Sequence, residues 1–145
     1  MNILKKVVLI DDDEVNNFVC ESIIRNENFA EEVISFQGAE EALDFLKTSA
    51  LPSSGEDFPD LIFLDINMPG MDGWNFIEEY GKLPGSALQK CNLFMLSSAV
   101  DRKDIQCARS HKEVKEFFSK PLSPEILDFI REEFIIPEDR PPYRA

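Results

Sequence analysis

Five short runs rich in apolar residues recur along this chain, and their regular spacing narrows its fold to one class. The first positions of successive runs are separated by 26, 28, 32 and 21 residues, which leaves room for one helix between each pair of strands. The runs are largely continuous rather than alternating, as is typical of strands buried on both faces of a parallel sheet. They occupy positions 7–10, 33–36, 61–64, 93–96 and 114–118, and they predict five strands.

The segments between and after the runs predict five helices. Apolar residues recur there at the spacing of one helical face, so that each helix can cover the sheet. The positions with this spacing are Val15, Phe18, Val19, Ser22 and Ile23 in the first helix, Ala39, Ala42, Leu43 and Leu46 in the second, and Trp74, Ile77 and Tyr80 in the third. A short fourth helix is predicted over Arg102–Ser110, and the fifth is expected to bury Ile126, Leu127, Ile130 and Phe134. The pattern indicates one α/β domain over residues 1–136 with helices on both faces of the sheet, a surface loop at 51–60, and an extended C-terminal tail at 137–145.

Composition and charge restrict the possible surroundings and partners. No apolar run approaches the roughly 20 residues that cross a bilayer, and the N-terminus has no signal-peptide pattern, so we expect a cytoplasmic protein without membrane insertion. The net charge of −13 argues against direct binding of nucleic acid. Residues 101–120 nevertheless carry six basic and four acidic side chains, which suggests a docking surface for a protein partner. The three cysteines have no close pair, which favours reduced thiols.

Polar side chains follow four of the predicted strands at the point where each strand ends. Functional groups of an open parallel sheet collect at the carboxyl ends of its strands, so these side chains are expected to meet at one edge. They are Asp11, Asp12 and Asp13 after the first strand, Asp65 after the third, Ser97 after the fourth, and Lys120 after the fifth.

The carboxylates predict a metal site if the first and third strands are neighbours. Two like charges about 4 Å apart repel each other by about 1 kcal/mol in water and about 4 kcal/mol at an effective dielectric constant of 20. A cation between Asp11, Asp12 and Asp65 would remove that repulsion, and hard carboxylate oxygens favour Mg²⁺ over zinc. The alternative is a solvated strand end that leads into a helix, and we assign Asp13 and Glu14 to that role, since acids favour the first helical turn.

Asp65 is suited to act as a nucleophile because it is a single acid at the end of a fully apolar strand. A carboxylate that attacks phosphorus forms an acyl phosphate, whose charge must be neutralised. A bound Mg²⁺ and the Lys120 ammonium could supply positive charge, and Ser97 could donate a hydrogen bond to a phosphoryl oxygen. The residues together therefore predict phosphoryl transfer.

Four stretches resemble the receiver domains of two-component response regulators. They are V-V-L-I-D-D-D-E-V-N-N, L-I-F-L-D-I-N-M-P-G-M-D-G-W, F-M-L-S-S-A and F-F-S-K-P-L, which lie between residues 7 and 122. The resemblance as a whole covers residues 5 to about 134. The resemblance implies a flavodoxin-like, doubly wound, five-stranded parallel sheet in the order 2-1-3-4-5 with five helices. It also suggests a receiver of the stand-alone type.

The resemblance further implies a role for each motif residue. Asp65 would accept the phosphoryl group, with Asp12 binding Mg²⁺ directly and Asp11 largely through water. The set of metal ligands would also include Asp65 itself and the backbone carbonyl of Asn67. Ser97 and Lys120 would hold the phosphoryl oxygens, Ser97 and Phe117 would form the switch, and Lys120-Pro121 would be a cis peptide.

Function and partners follow from the same resemblance. A sensor histidine kinase or a histidine phosphotransfer protein would donate the phosphoryl group, and an unknown downstream protein would read the surface of the fourth helix, fifth strand and fifth helix. Such a protein is not an enzyme beyond the phosphorylation and dephosphorylation of its own Asp65.

Three alternatives remain at this stage. The chain could be a pseudo-receiver that binds partners without phosphorylation. It could be an aspartyl-phosphate phosphatase, although Asn67 stands where such enzymes have a second acid. It could also be a flavin-binding protein of the same topology, although the aspartate run would repel the flavin's phosphate.

Overall fold

The computed structural model describes residues 3–51, 58–68, 70–98 and 101–135, and it confirms the predicted sheet. Five parallel strands lie in the order β2-β1-β3-β4-β5, as the motifs implied. Their bounds are β1 Leu4–Ile10, β2 Ala30–Phe36, β3 Leu61–Leu64, β4 Asn92–Ser97 and β5 Val114–Ser119. Because β1 pairs with both β2 and β3, its carboxyl end lies between theirs at the sheet edge.

Six helices are present in the described residues, so the prediction of five was wrong by one. Their bounds are α1 Glu14–Asn26, α2 Ala39–Ser49, α3 Gly73–Tyr80, α4 Gly85–Lys90, α5 Arg102–Ser110 and α6 Pro124–Phe134. The additional helix, α4, has only six residues and buries Ala87. Fewer than two turns cannot display a helical apolar face, which is why the periodicity did not indicate it.

The sheet carries an apolar core on each face. On one face Val8 and Ile10 of β1 pack in a cluster to which α2 and α3 contribute. On the other face Val7 and Leu9 pack in a cluster to which α1 and α6 contribute. Successive residues of a strand point to opposite faces, so the continuous apolar run of β1 is what both layers of helices require.

Helix α1 forms where it was predicted, but the face assigned to the core was largely wrong. Of the apolar residues predicted there, only Ile23 packs partly buried against the core. Val15 is 70%, Phe18 72% and Val19 41% exposed. The residues of α1 that are buried are Asn17, Cys20 and Ile24. The helix is rotated so that a polar residue faces the sheet, and the contacts of that residue explain the rotation below.

Further predictions concern the cysteines, membrane-spanning helices, the C-terminal tail and the surface loop. Cys20, Cys91 and Cys107 are free thiols, as expected. Among the described helices we find none with the length and apolar character that spanning a membrane requires. The predicted tail at 137–145 and most of the predicted surface loop, positions 52–57, lie outside the described residues.

Candidate functional site

The pairing of β1 with β3 brings the acidic side chains together. The backbone N–H of Asp65 donates to the carbonyl oxygen of Ile10 at 2.9 Å, so the two strands end side by side. One carboxylate oxygen from each of Asp11, Asp12 and Asp65 lies within 4.8 Å of the others. Asp11 and Asp65 are buried, whereas Asp12 is exposed. The group is therefore a half-open acidic pocket, as the strand ends predicted.

Ser97 and Lys120 complete this pocket from the neighbouring strands. The Ser97 hydroxyl, which is fully buried, donates to Oδ1 of Asp65 at 2.8 Å. The Lys120 backbone N–H donates to the Ser97 carbonyl at 3.0 Å, which aligns the ends of β4 and β5. The Lys120 Nζ lies 2.5 Å from Oδ2 of Asp11 and 3.6 Å from Oδ2 of Asp65. The Lys120-Pro121 peptide is cis, as the resemblance implied.

Burial and the neighbouring charges set the protonation of the two key groups. Burial raises the pKa of Asp65, which the Ser97 hydrogen bond opposes and the Asp11 charge reinforces. Burial opposes the charged form of Lys120, but its hydrogen bond with Asp11 and the charges of Asp11 and Asp65 raise its pKa above the usual value. Lys120 therefore remains an ammonium at neutral pH, and it can neutralise negative charge in the pocket.

Glycines shape the loop that runs from Asp65 into α3. A Cβ on Gly73 would lie 2.8 Å from Cα of Ile66 and 2.9 Å from the carbonyl oxygen of Asp65, so no larger residue fits without a backbone shift. Gly70 has a φ of 78°, in the left-handed region that glycine occupies without strain. The loop can thus pack closely against the backbone of Asp65 and Ile66.

Two functional residues were missed by the sequence analysis. The Asn16 amide donates to Oδ2 of Asp11 at 2.8 Å, and the Asn17 amide donates to the Asp11 backbone carbonyl at 2.9 Å. Asn17 is 5% exposed, and this bond gives its amide N–H a partner at the sheet face of α1, while its Oδ1 has none among the described residues. The bond explains the rotation of the helix. The signal in the sequence was the helical spacing of Asn17, Cys20 and Ile24 directly after the acids.

The remaining predicted residues lie around the pocket. The Asn67 side chain is exposed, and the Asn67 backbone opposes the rise in the pKa of Asp65 through a hydrogen bond. Phe117 is half-buried in β5 and packs against the core that α2 and α3 share. Ala99, two residues after Ser97, lies outside the described residues.

The donor set of the pocket fits Mg²⁺. The group consists of three carboxylates, which are the hard oxygen ligands that this ion prefers. Their mutual repulsion falls when a divalent cation lies between them, and the exposure of Asp12 leaves room for bound water. The resemblance adds the Asn67 carbonyl to this set.

Comparison with known proteins identifies the family. A family model described as the response regulator receiver domain matches residues 7–130. The chain belongs to this family. Receiver domains are typically non-enzymatic modules of two-component signalling, and they bind Mg²⁺ at an acidic cluster of the kind that Asp11, Asp12 and Asp65 form here.

Solved structures agree with this assignment. A two-component response regulator from Cytophaga hutchinsonii is 32% identical, covers 91% of this receiver domain and 97% of its own chain, and superposes with a TM-score of 0.82. The receiver domain of the histidine kinase CKI1 from Arabidopsis thaliana, crystallised with Mg²⁺ and BeF₃⁻, is 22% identical, covers 88% of each chain and has a TM-score of 0.76. At that identity the second likeness concerns the fold.

A curated relative is a much longer protein. The sensory/regulatory protein RpfC of Xanthomonas campestris pv. campestris is 27% identical over 124 residues, which are 85% of this receiver domain and 16% of RpfC. The chain thus spans about a sixth of that relative.

Proposed function

We propose that this receiver domain takes a phosphoryl group onto Asp65 from the histidine of a sensor kinase or of a histidine phosphotransfer protein. The observation that carries the proposal is the convergence of four groups on one carboxylate. Asp65 lies within reach of a hydroxyl donor, an ammonium and two further acids. The ammonium and the hydroxyl can stabilise the negative charge that an acyl phosphate acquires, and the two acids can hold a cation that neutralises more of it.

Each residue has a separate task in the transfer. A free carboxylate oxygen of Asp65 attacks the phosphorus, the bond from phosphorus to the donor's histidine nitrogen breaks, and that nitrogen leaves with the electron pair. Ser97 and Lys120 receive the phosphoryl oxygens, since both already contact Asp65. Asp12 would bind Mg²⁺ directly, Asp11 largely through water, and Asp65 and the Asn67 carbonyl would complete the ligands. Bound Mg²⁺ supplies positive charge to the transferred group.

The phosphorylated state would change the surface formed by α5, β5 and α6. Phe117 lies between two surface grooves of about 210 and 270 Å³, one lined by α5 and one lined by α6. Movement of Ser97 toward the phosphoryl group would open space beneath Phe117, and an inward turn of the ring would alter both grooves. This is a two-state element biased by a local charge.

Basic side chains on this surface are candidates for docking the downstream partner. Arg102, Lys103 and Arg109 are exposed on α5. Reversing these three charges should weaken partner binding and leave phosphorylation of Asp65 unchanged, because α5 does not contribute to the acidic pocket. Equal loss of both activities would contradict the assignment.

The phosphoryl donor has a separate surface available. Helix α1 begins at Glu14, directly after the acids, and presents Val15, Phe18 and Val19 to solvent. Exposed apolar side chains beside a functional pocket are typical of a protein interface. A histidine-bearing partner that docks there would cover the pocket from which Asp65 reacts.

The decisive experiment is phosphorylation by a small donor. The protein is incubated with acetyl phosphate and Mg²⁺, and its intact mass is measured. We expect a gain of one phosphoryl unit that disappears with EDTA and in Asp65→Asn, and that persists in the control Asp44→Asn, an exposed acid of α2. An unchanged mass would instead favour the pseudo-receiver, and steady phosphate release from a phosphomonoester would favour the phosphatase.

A further inference from the structure

The Asp11 carboxylate is held by three donors, and two of them share one oxygen. The backbone N–H of Asp13 donates to Oδ1 at 2.9 Å. Oδ2 accepts the Asn16 amide at 2.8 Å and also contacts the Lys120 ammonium at 2.5 Å. Asp11 is only 4% exposed, so water has little access to either oxygen. The position of the Asp11 carboxylate therefore depends on these neighbours.

The two donors on Oδ2 respond differently to phosphorylation. Lys120 lies 3.6 Å from Asp65, so a phosphoryl group there, with roughly 1.5–2 negative charges, would draw the ammonium away from Asp11. Asn16 carries no charge and extends from α1, so the same field leaves its amide in place. Phosphorylation would thus remove one donor from Oδ2 and leave the other.

We propose that Asn16 is a positioning residue of the phosphorylation site, which holds the Asp11 carboxylate when Lys120 transfers to the phosphoryl group. The inference rests on the proposed function. Without Asn16, the departure of Lys120 would leave Oδ2 of a buried carboxylate without either of these two donors. A buried acceptor that loses its partners is costly, so the phosphorylated state becomes less accessible.

Asn17 also holds Asp11, so the role of Asn16 can be distinguished from the stability of the fold. Its amide holds the Asp11 backbone carbonyl at 2.9 Å, so the main chain at Asp11 is secured independently of Asn16. Asn16 is itself half-buried, and in the resting state Lys120 still contacts Oδ2. Loss of the Asn16 amide should therefore affect phosphorylation more than folding or resting Mg²⁺ binding.

The test compares Asn16→Leu with Asn16→Gln. Leucine has a similar volume but no donor, whereas glutamine keeps an amide donor. The control is Asn26→Leu, the same substitution at the exposed last residue of α1. For each variant we would measure the initial rate of phosphorylation by acetyl phosphate at saturating Mg²⁺, the Mg²⁺ affinity by calorimetry, and the melting temperature.

We expect Asn16→Leu to lower the phosphorylation rate about tenfold, the size of one hydrogen bond to a charged group. Its Mg²⁺ affinity and melting temperature should match those of Asn26→Leu, and Asn16→Gln should recover most of the rate. A wild-type rate in Asn16→Leu would overturn the inference and leave the proposed function intact. The inference would also be overturned if Asn16→Leu and Asn16→Gln lost the same amount of phosphorylation rate and the same amount of melting temperature. If the wild-type protein is not phosphorylated, the proposed function and this inference both fail.

Discussion

Substitution of Asp12 by Asn should stabilise the protein when Mg²⁺ is absent and destabilise it when Mg²⁺ is present. Carboxylate oxygens of Asp11, Asp12 and Asp65 lie within 4.8 Å of one another. At that distance each like-charge pair costs about 1 kcal/mol in water, and the exposure of Asp12 makes the water value the appropriate one. The Lys120 ammonium beside Asp11 offsets part of the total repulsion among the three carboxylates. Asp12→Asn should therefore raise the free energy of unfolding by about 1 kcal/mol when the metal is removed.

Added Mg²⁺ should invert that order. An ion at about 100 times its dissociation constant stabilises the native state by about 2.7 kcal/mol. Asp12→Asn replaces a charged ligand by a neutral one, so most of this stabilisation should be lost in the variant. The assay is urea unfolding followed by circular dichroism, in EDTA and in excess Mg²⁺. The variant should be the more stable protein in EDTA and the less stable one in Mg²⁺.

Asp13→Asn is the matched control. It removes the same charge one residue later, and asparagine is as good an N-cap as aspartate, so the start of α1 is preserved. Asp13 is not part of the acidic group, and the control should keep the full response to Mg²⁺. The reasoning would be refuted if Asp12→Asn were less stable than the wild-type protein in EDTA, or if both variants responded equally to Mg²⁺.

Three further predictions concern the scaffold of the site. Gly73→Ala should lower the free energy of unfolding by about 1–3 kcal/mol, because the new Cβ would lie 2.8 Å from Cα of Ile66; a change below about 0.5 kcal/mol in urea unfolding would contradict this. Burial raises the pKa of Cys91 to about 12 and also raises the pKa of Tyr80. As the pH rises, the unfolded chain therefore releases these protons before the folded protein does. The free energy of unfolding should keep its full value below about pH 8.5 and fall as the pH rises from there toward 12. The fall should be smaller in Cys91→Ala. Arg131→Leu should cost about 1–3 kcal/mol, because the guanidinium donates at 2.7 and 3.1 Å to two carbonyls after α1; a melting temperature equal to that of the wild-type protein would exclude this role.

The strands and the members of the acidic pocket could be predicted from local pattern. A short, continuous apolar run that ends in polar residues favours a strand buried on both faces, and β1 and β3 appear where their runs are. The ends of such strands meet at one edge in an open parallel sheet. This is why Asp65, Ser97 and Lys120 could be named as one site before any contact was known.

The orientation of α1 required the tertiary structure. Its periodicity favoured a buried Phe18, yet Phe18 is 72% exposed and Asn17 faces the sheet. Apolar spacing records which residues can be buried, but the rotation of a helix depends on particular contacts with its neighbours. Here that contact is the hydrogen bond that the Asn17 amide donates to the Asp11 backbone carbonyl.

The same distinction applies inside the site. Chain pattern placed Lys120 near the acids, but the strand ends alone could not show that its ammonium lies closer to Asp11 than to Asp65. Nor could they show that Asn16 shares the same Asp11 oxygen. The apolar periodicity of a sequence reflects burial, which is averaged over many neighbouring residues. Which carboxylate Lys120 contacts, and which oxygen Asn16 shares, instead depend on differences of about an ångström between individual polar atoms.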